Sequence, residues 1–301
     1  MRDLMRVARG HGQGLRAVLA AAVLALGTAG PALAQAAADP NPGALTFTGG
    51  FDILPGVPYI FRGLVQESDP KLTMWPYADL GIALASGDGA LSSVGVNFGV
   101  WNSLQTGSSG SDGPTERLHY EEDFYATLAL GFKGGISLGT TFTAYSSPNG
   151  MFTTVEELSF KISKAHMLAP YGVLAFEMGD SGSADGGENN GTYLELGVGP
   201  SWPLAGGAAT VAVPVKVGLS LSNYYEGPEG DTTFGFFDIG GLLTVPIKKI
   251  PSQFGSWNFH AGADVLYYPG EDSVLRLLNA NENGDPRSSR VVGLFGIGVT
   301  Y

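Results

Sequence analysis

The chain has 301 residues, no cysteine, 16 basic and 28 acidic side chains, and a formal charge of −12. The lack of thiols excludes a disulfide framework and Cys-built zinc sites. The acidity argues against any nucleic-acid partner, because phosphate contacts need Lys and Arg.

The N-terminus carries Arg2, Arg6, Arg9 and Arg16 ahead of an apolar run at 17–26. Pro31 then precedes Ala32, Leu33 and Ala34, a small-x-small site. The pattern predicts a signal peptide over 1–34, cleaved before Gln35. An apolar run this short is not a membrane anchor, since spanning takes ~20 residues. Without residues 1–34 the chain keeps 12 basic and 27 acidic residues, a charge of −15. Residues 35–301 are expected to form one domain.

That domain reads as twelve strands. The first covers 44–65 with an interruption at Pro55, Gly56, Val57 and Pro58. The others are placed at 74–85, 91–104, 119–132, 135–146, 152–164, 168–178, 192–199, 211–222, 234–245, 257–267 and 290–301. Most match the ~9–11 residues of a tilted membrane-crossing strand. Short turns at 87–89, 133–134, 165–166 and 205–207, with a longer one at 246–256, alternate with mostly longer polar connections. This asymmetry predicts an antiparallel outer-membrane β-barrel with short periplasmic turns and both termini periplasmic. In the last strand Val291, Gly293, Phe295, Ile297, Val299 and Tyr301 share one face. An apolar strand closed by an aromatic fits a lipid-facing stave and a signal for the barrel assembly machinery. The rival, an exported soluble β-sandwich, would also alternate but has no need of so many apolar faces.

Parity separates two faces on every strand. Phe124, Ala126, Leu128 and Leu130 oppose Asp123, Tyr125 and Thr127; Val211, Val213, Val215, Val217 and Leu219 oppose Lys216, Gly218 and Ser220. A charge facing lipid at the midplane costs ~2–4 kcal/mol, so the polar face is the lumen. It collects the acids Asp52, Asp79, Asp123, Glu157, Glu177, Glu195, Asp238 and Asp264, and the bases Arg62, Lys161 and Lys216, with His260 as a further one. Its aromatics are Trp75, Tyr77, Trp101, Tyr125, Tyr145, Tyr171, Tyr193 and Tyr224. Two readings follow. The acids line a wet, cation-preferring channel, or they pair with the bases and tyrosine hydroxyls and fill a closed barrel.

Weaker signals point to ordinary structure. Asn279, Asn281, Asn283, Gly284 and Asp285 resemble half a calcium loop, but a turn is the simpler reading. The acidic loops, with Glu226, Glu229, Asp231, Glu271, Asp272, Glu282 and Asp285, read as a solvated surface that also suits cation-bridged lipopolysaccharide. A lipid-modifying enzyme would need a Ser beside a His. His119, His166 and His260 have none evident in sequence, so no catalysis, metal or cofactor is expected.

The segment Tyr59, Ile60, Phe61, Arg62, Gly63, Leu64, Val65, Gln66 resembles the Tyr-x-Phe-Arg-Gly-x-x-Gln motif of a family of uncharacterised bacterial outer-membrane barrel proteins. Pro76, Tyr77, Ala78, Asp79, Leu80, Gly81 and Trp101, Asn102, Ser103 fit the same first hairpin. The resemblance implies an outer-membrane location and a barrel fold, and transport only loosely. In that frame Arg62 is expected to pair with Asp79 and latch the first hairpin. The leading expectation is a porin-like passive channel for small polar, cationic or zwitterionic solutes. The alternatives are a closed structural or adhesive barrel acting through its loops, and a lipid-modifying barrel enzyme.

Overall fold

Alternation at period two lets one strand face lipid and lumen at once, and closing the sheet removes its edges. The structure, a computed structural model, describes residues 44–67, 70–107, 118–179, 183, 185–187, 189–227, 230–271, 273–280 and 284–301. The expected signal segment and cleavage site lie outside these residues. So do Glu229, Asp272, Asn281, Glu282 and Asn283.

The strands in chain order begin with β1 (Leu45–Pro55), β2 (Tyr59–Phe61), β3 (Leu64–Glu67), β4 (Pro70–Ser86), β5 (Leu91–Gly107) and β6 (His119–Phe132). Next come β7 (Ile136–Ser146), β8 (Val155–Lys164), β9 (Tyr171–Met178), β10 (Thr192–Val198) and β11 (Ser201–Leu204). The last are β12 (Ala209–Ala212), β13 (Val215–Ser222), β14 (Phe234–Pro246), β15 (Ser256–Tyr267) and β16 (Ser289–Thr300). The wall is a closed ring of twelve antiparallel staves. β1 pairs with β16, and β14 pairs with β15, which seals it. β11 prolongs β10, and β12 leads into β13. Each stave is broken by a proline, Pro200 or Pro214, which offers no backbone donor to the ladder. The break is bridged by Val213 N–H donating to Pro200 O at 3.0 Å.

The outside is apolar. Phe98 and Phe124 are 52% and 53% exposed, and Leu128, Ile162, Leu196, Ile239, Phe295 and Ile297 lie on the same surface. A water-soluble barrel would not expose such a belt, whereas hydrocarbon favours it, so this is an outer-membrane barrel. Among the described residues no helix is long and apolar enough to cross a membrane.

Inside, tyrosines lie across glycines on neighbouring strands. Gly99 pairs with Tyr125, and a Cβ at Gly99 would sit 2.0 Å from the ring. Gly50 and Tyr77 repeat this arrangement, with a Cβ 2.3 Å from the hydroxyl. The missing side chain is what lets the ring lie flat on the wall.

The first stave departs from expectation. It ends at Pro55, and residues 59–67 do not continue up the wall. They form a separate two-stranded hairpin, β2–β3. The two prolines, Pro55 and Pro58, end the wall ladder, and the next wall strand starts only at Pro70. The 268–289 connection also differs from a plain loop, because it carries a short helix, α1 (Val274–Leu278).

Candidate functional site

The β2–β3 hairpin folds from the long-connection end of the barrel into the lumen. Tyr59, Phe61, Arg62 and Leu64 are all buried. Its contacts reach staves all around the ring, so it lies across the bore.

At the base, the Tyr59 ring packs edge-on against Trp75 with centroids 5.3 Å apart. It lies 5.8 Å from Trp101 and 6.2 Å from Tyr120. The indole of Trp75 donates to Ser103 Oγ at 3.2 Å. Tyr120 OH donates to Gln66 O at 3.3 Å. The β5–β6 register slips between Ser103 and Leu104, which leaves Tyr120 without a ladder partner, and Tyr120 is buried in the interior beside Glu121.

At the tip, Arg62 and Gly63 form a two-residue turn with φ of 44° and 84°. Arg62 Nη1 donates to Glu157 Oε2 at 2.6 Å, and Nη2 donates to Glu157 Oε1 at 2.9 Å. Nη1 also donates to Tyr224 OH at 2.9 Å. The guanidinium stacks 4.3 Å from the Tyr193 ring centroid. Tyr145 OH donates to Glu157 Oε1 at 3.2 Å and orients the carboxylate. Two parallel N–H···O bonds with a ring on one face make the strongest geometry a guanidinium finds. The expected Arg62–Asp79 pair is therefore corrected. Asp79 instead accepts from Asn97 Nδ2 at 2.8 Å on the neighbouring strand, because the hairpin carries Arg62 away from β4.

A clasp holds the tip from the other side. Asn279, at the end of α1, accepts from Val65 N–H at 3.0 Å and donates Nδ2 to Gly63 O at 2.7 Å. Tyr225 OH donates to Arg62 O at 2.8 Å. Among the described residues, Asn279 is therefore part of this clasp and not of a calcium loop.

The remaining inward residues are held along the wall. Lys216 Nζ sits 3.4 Å from Asp238 Oδ2. Tyr171 and Tyr193 donate to the two oxygens of Glu195 at 2.9 and 2.8 Å. Lys161 Nζ lies 5.1 Å from the Tyr171 ring centroid. Asp264 and Trp101 are buried in the interior, and Glu177 accepts from Gly191 N–H. His260 Nε2 meets Asp52 Oδ1 at 2.6 Å. These two sit on β15 and β1, opposite Gly296 on β16 between them. Asp52, Asp123, Glu157, Glu177, Glu195, Asp238 and Asp264 are buried and Asp79 is half-buried. Eight different staves each contribute one of those acids.

Tyr59, Phe61, Glu121, Tyr225 and Asn279 belong to the site and were not assigned to it by sequence. Shared parity with Asp123 would have placed Glu121 inside.

Residues of two long connections form their own polar cluster. Asp185 accepts from Gly187 N–H at 2.8 Å, from Ser183 Oγ at 3.2 Å and from Glu226 N–H. Burial pushes its carboxyl up to about 6. Among the described residues no group of three or more His, Asp or Glu is placed to hold a metal ion.

No family model matches the chain, and no curated protein matches it. Solved structures resemble it only distantly. An outer-membrane channel from Pseudomonas putida F1 is 9% identical, with 87% of this chain and 96% of that one covered and a TM-score of 0.43. Outer membrane phospholipase A from Escherichia coli is 13% identical over 86% and 93%, with a TM-score of 0.42. The NanC porin is 11% identical over 85% and 99%, with a TM-score of 0.39.

Proposed function

We propose that the protein is a gated outer-membrane channel for small cationic or zwitterionic solutes, closed at rest by the β2–β3 hairpin. The carrying observation is how the hairpin is held. Its tip is fixed by a bidentate ion pair, a tyrosine hydroxyl and an asparagine clasp, polar contacts that an aqueous solute can compete for. The acids contributed by eight staves favour cations over anions along the path. With the long connections outward and both termini periplasmic, the hairpin guards the external mouth. No catalytic step is part of this reading.

The closed structural barrel remains the second reading, supported by the packing of Tyr59 against Trp75, Trp101 and Tyr120. Replacing residues 57–67 by a short Gly-Ser linker decides between them. In planar bilayers with asymmetric KCl, the shortened barrel is expected to conduct with a cation-selective reversal potential, while the full chain stays mostly silent. A shortened barrel that folds and does not conduct would refute the channel. In the conducting form, Glu177→Gln with Glu195→Gln should weaken cation preference.

A further inference from the structure

We infer that the wall pocket holding Arg62 is a recognition site for alkylguanidinium solutes, with Arg62 acting as a tethered stand-in for them. The inference rests on the channel reading and names the solute class it would take.

The pocket is built almost wholly from residues outside the hairpin. Glu157 on β8 presents both carboxylate oxygens, and Tyr224 in the 223–231 connection presents its hydroxyl. Tyr193 on β10 supplies the stacking face, and Tyr145 on β7 orients Glu157. Withdrawal of the hairpin leaves this cage complete, with a buried carboxylate that has lost its cation. Such a carboxylate is costly unless another cation enters. The planar array of two oxygens, a hydroxyl and a ring matches a guanidinium fork better than a compact ammonium.

The turn itself supports the assignment. Both central residues have positive φ, a two-residue turn for which Asn-Gly is the favoured pair. An arginine adopts this backbone at a cost. The turn alone gives no reason for arginine at 62; the pocket does. Because the tether holds Arg62 at high effective concentration, a free solute must displace it, and binding is coupled to opening.

The test is calorimetric titration of the refolded protein in detergent with butylguanidinium and, separately, butylammonium. Arg62→Ala should bind butylguanidinium about tenfold or more tighter than the parent, because the competitor is gone. It should also prefer it about tenfold over butylammonium, and adding Glu157→Gln should abolish binding. If Arg62→Ala fails to fold, Arg62→Lys replaces it and should still bind butylguanidinium more tightly than the parent. Equal affinity for the two cations, or binding indifferent to Glu157→Gln, overturns the inference. Bilayer recordings keep the two readings apart. Guanidinium-selective binding without conductance in any variant supports the site and sinks the channel. Conductance without selective binding does the reverse.

Discussion

Glu157→Gln tests whether the ion pair keeps the hairpin seated. Side chains of both partners are almost fully buried, at 6% and 1% exposure. Removing one member leaves the Arg62 guanidinium in the interior without its counter-charge, a loss of ~3–5 kcal/mol in buried pairs. The glutamine still offers one oxygen, and Tyr224 and the Asn279 clasp remain, so the lower end applies. About 3 kcal/mol raises the undocked population roughly 100-fold. The chain has no cysteine, so Leu64→Cys gives a clean probe. Leu64 is 4% exposed when the hairpin is docked, and a maleimide reaches it only after undocking. In that background Glu157→Gln should raise the labelling rate by about two orders of magnitude. The pair replacement Arg62→Met with Glu157→Met should raise it far less, because two apolar side chains of similar size replace a buried ion pair at little cost. A labelling rate in Glu157→Gln within about threefold of the parent, with the barrel still folded by heat-modifiable mobility, would refute the latch.

Gly63→Ala should also undock the tip. Its φ of 84° disfavours a side chain, and a Cβ would sit 2.8 Å from the Phe236 ring; ~1–3 kcal/mol of backbone strain should speed Leu64→Cys labelling. Gly296→Val should weaken the seam between the first and last staves. Its Cβ would lie 2.1 Å from Asp52 Oδ1, separating Asp52 from His260, and the temperature at which the folded band is lost on a gel should fall. Asp185 sets a pH dependence in the long connections. Its folded carboxyl titrates near 6, above the usual carboxylate range, so the folded loops hold the proton more tightly than the unfolded chain. That contribution, at most ~3 kcal/mol by linkage, is present below about pH 4 and lost as pH rises through 6. Proteolysis of the 179–190 connection should therefore be slower at pH 4.5 than at pH 7, and Asp185→Asn should flatten the difference. An unchanged pH profile in that variant would exclude Asp185 as its source.

The wall was legible because the pleat makes each residue's side a matter of parity. Phe124 and Asp123 are adjacent in sequence and face lipid and lumen whatever their partners are. Parity, however, says nothing of which inward residue meets which. The sequence pairs Arg62 with Asp79 because both are expected inward on adjacent strands, yet its partners are 95 and 162 residues away, at Glu157 and Tyr224. Only the closed ring brings those staves within reach of one tip. Similarly, Asp52 and His260 were both placed inward, but their contact depends on Gly296 leaving room on the stave between them. The hairpin was hidden for another reason. Tyr59, Phe61 and Val65 share one parity and Arg62 and Gln66 the other, as in a wall strand, and Arg-Gly lacks the Asn-Gly signature of a tight turn. The one local clue is Pro55-Gly56-Val57-Pro58. Two prolines so close remove ladder donors from any stave that runs through them. A wall strand must then stop at Pro55, leaving Tyr59, Phe61 and Leu64 with no place on the lipid face. Such a segment, tethered at both ends to the barrel rim, can bury those side chains only by turning into the bore, and an interior already lined with acids favours a turn that brings an arginine with it.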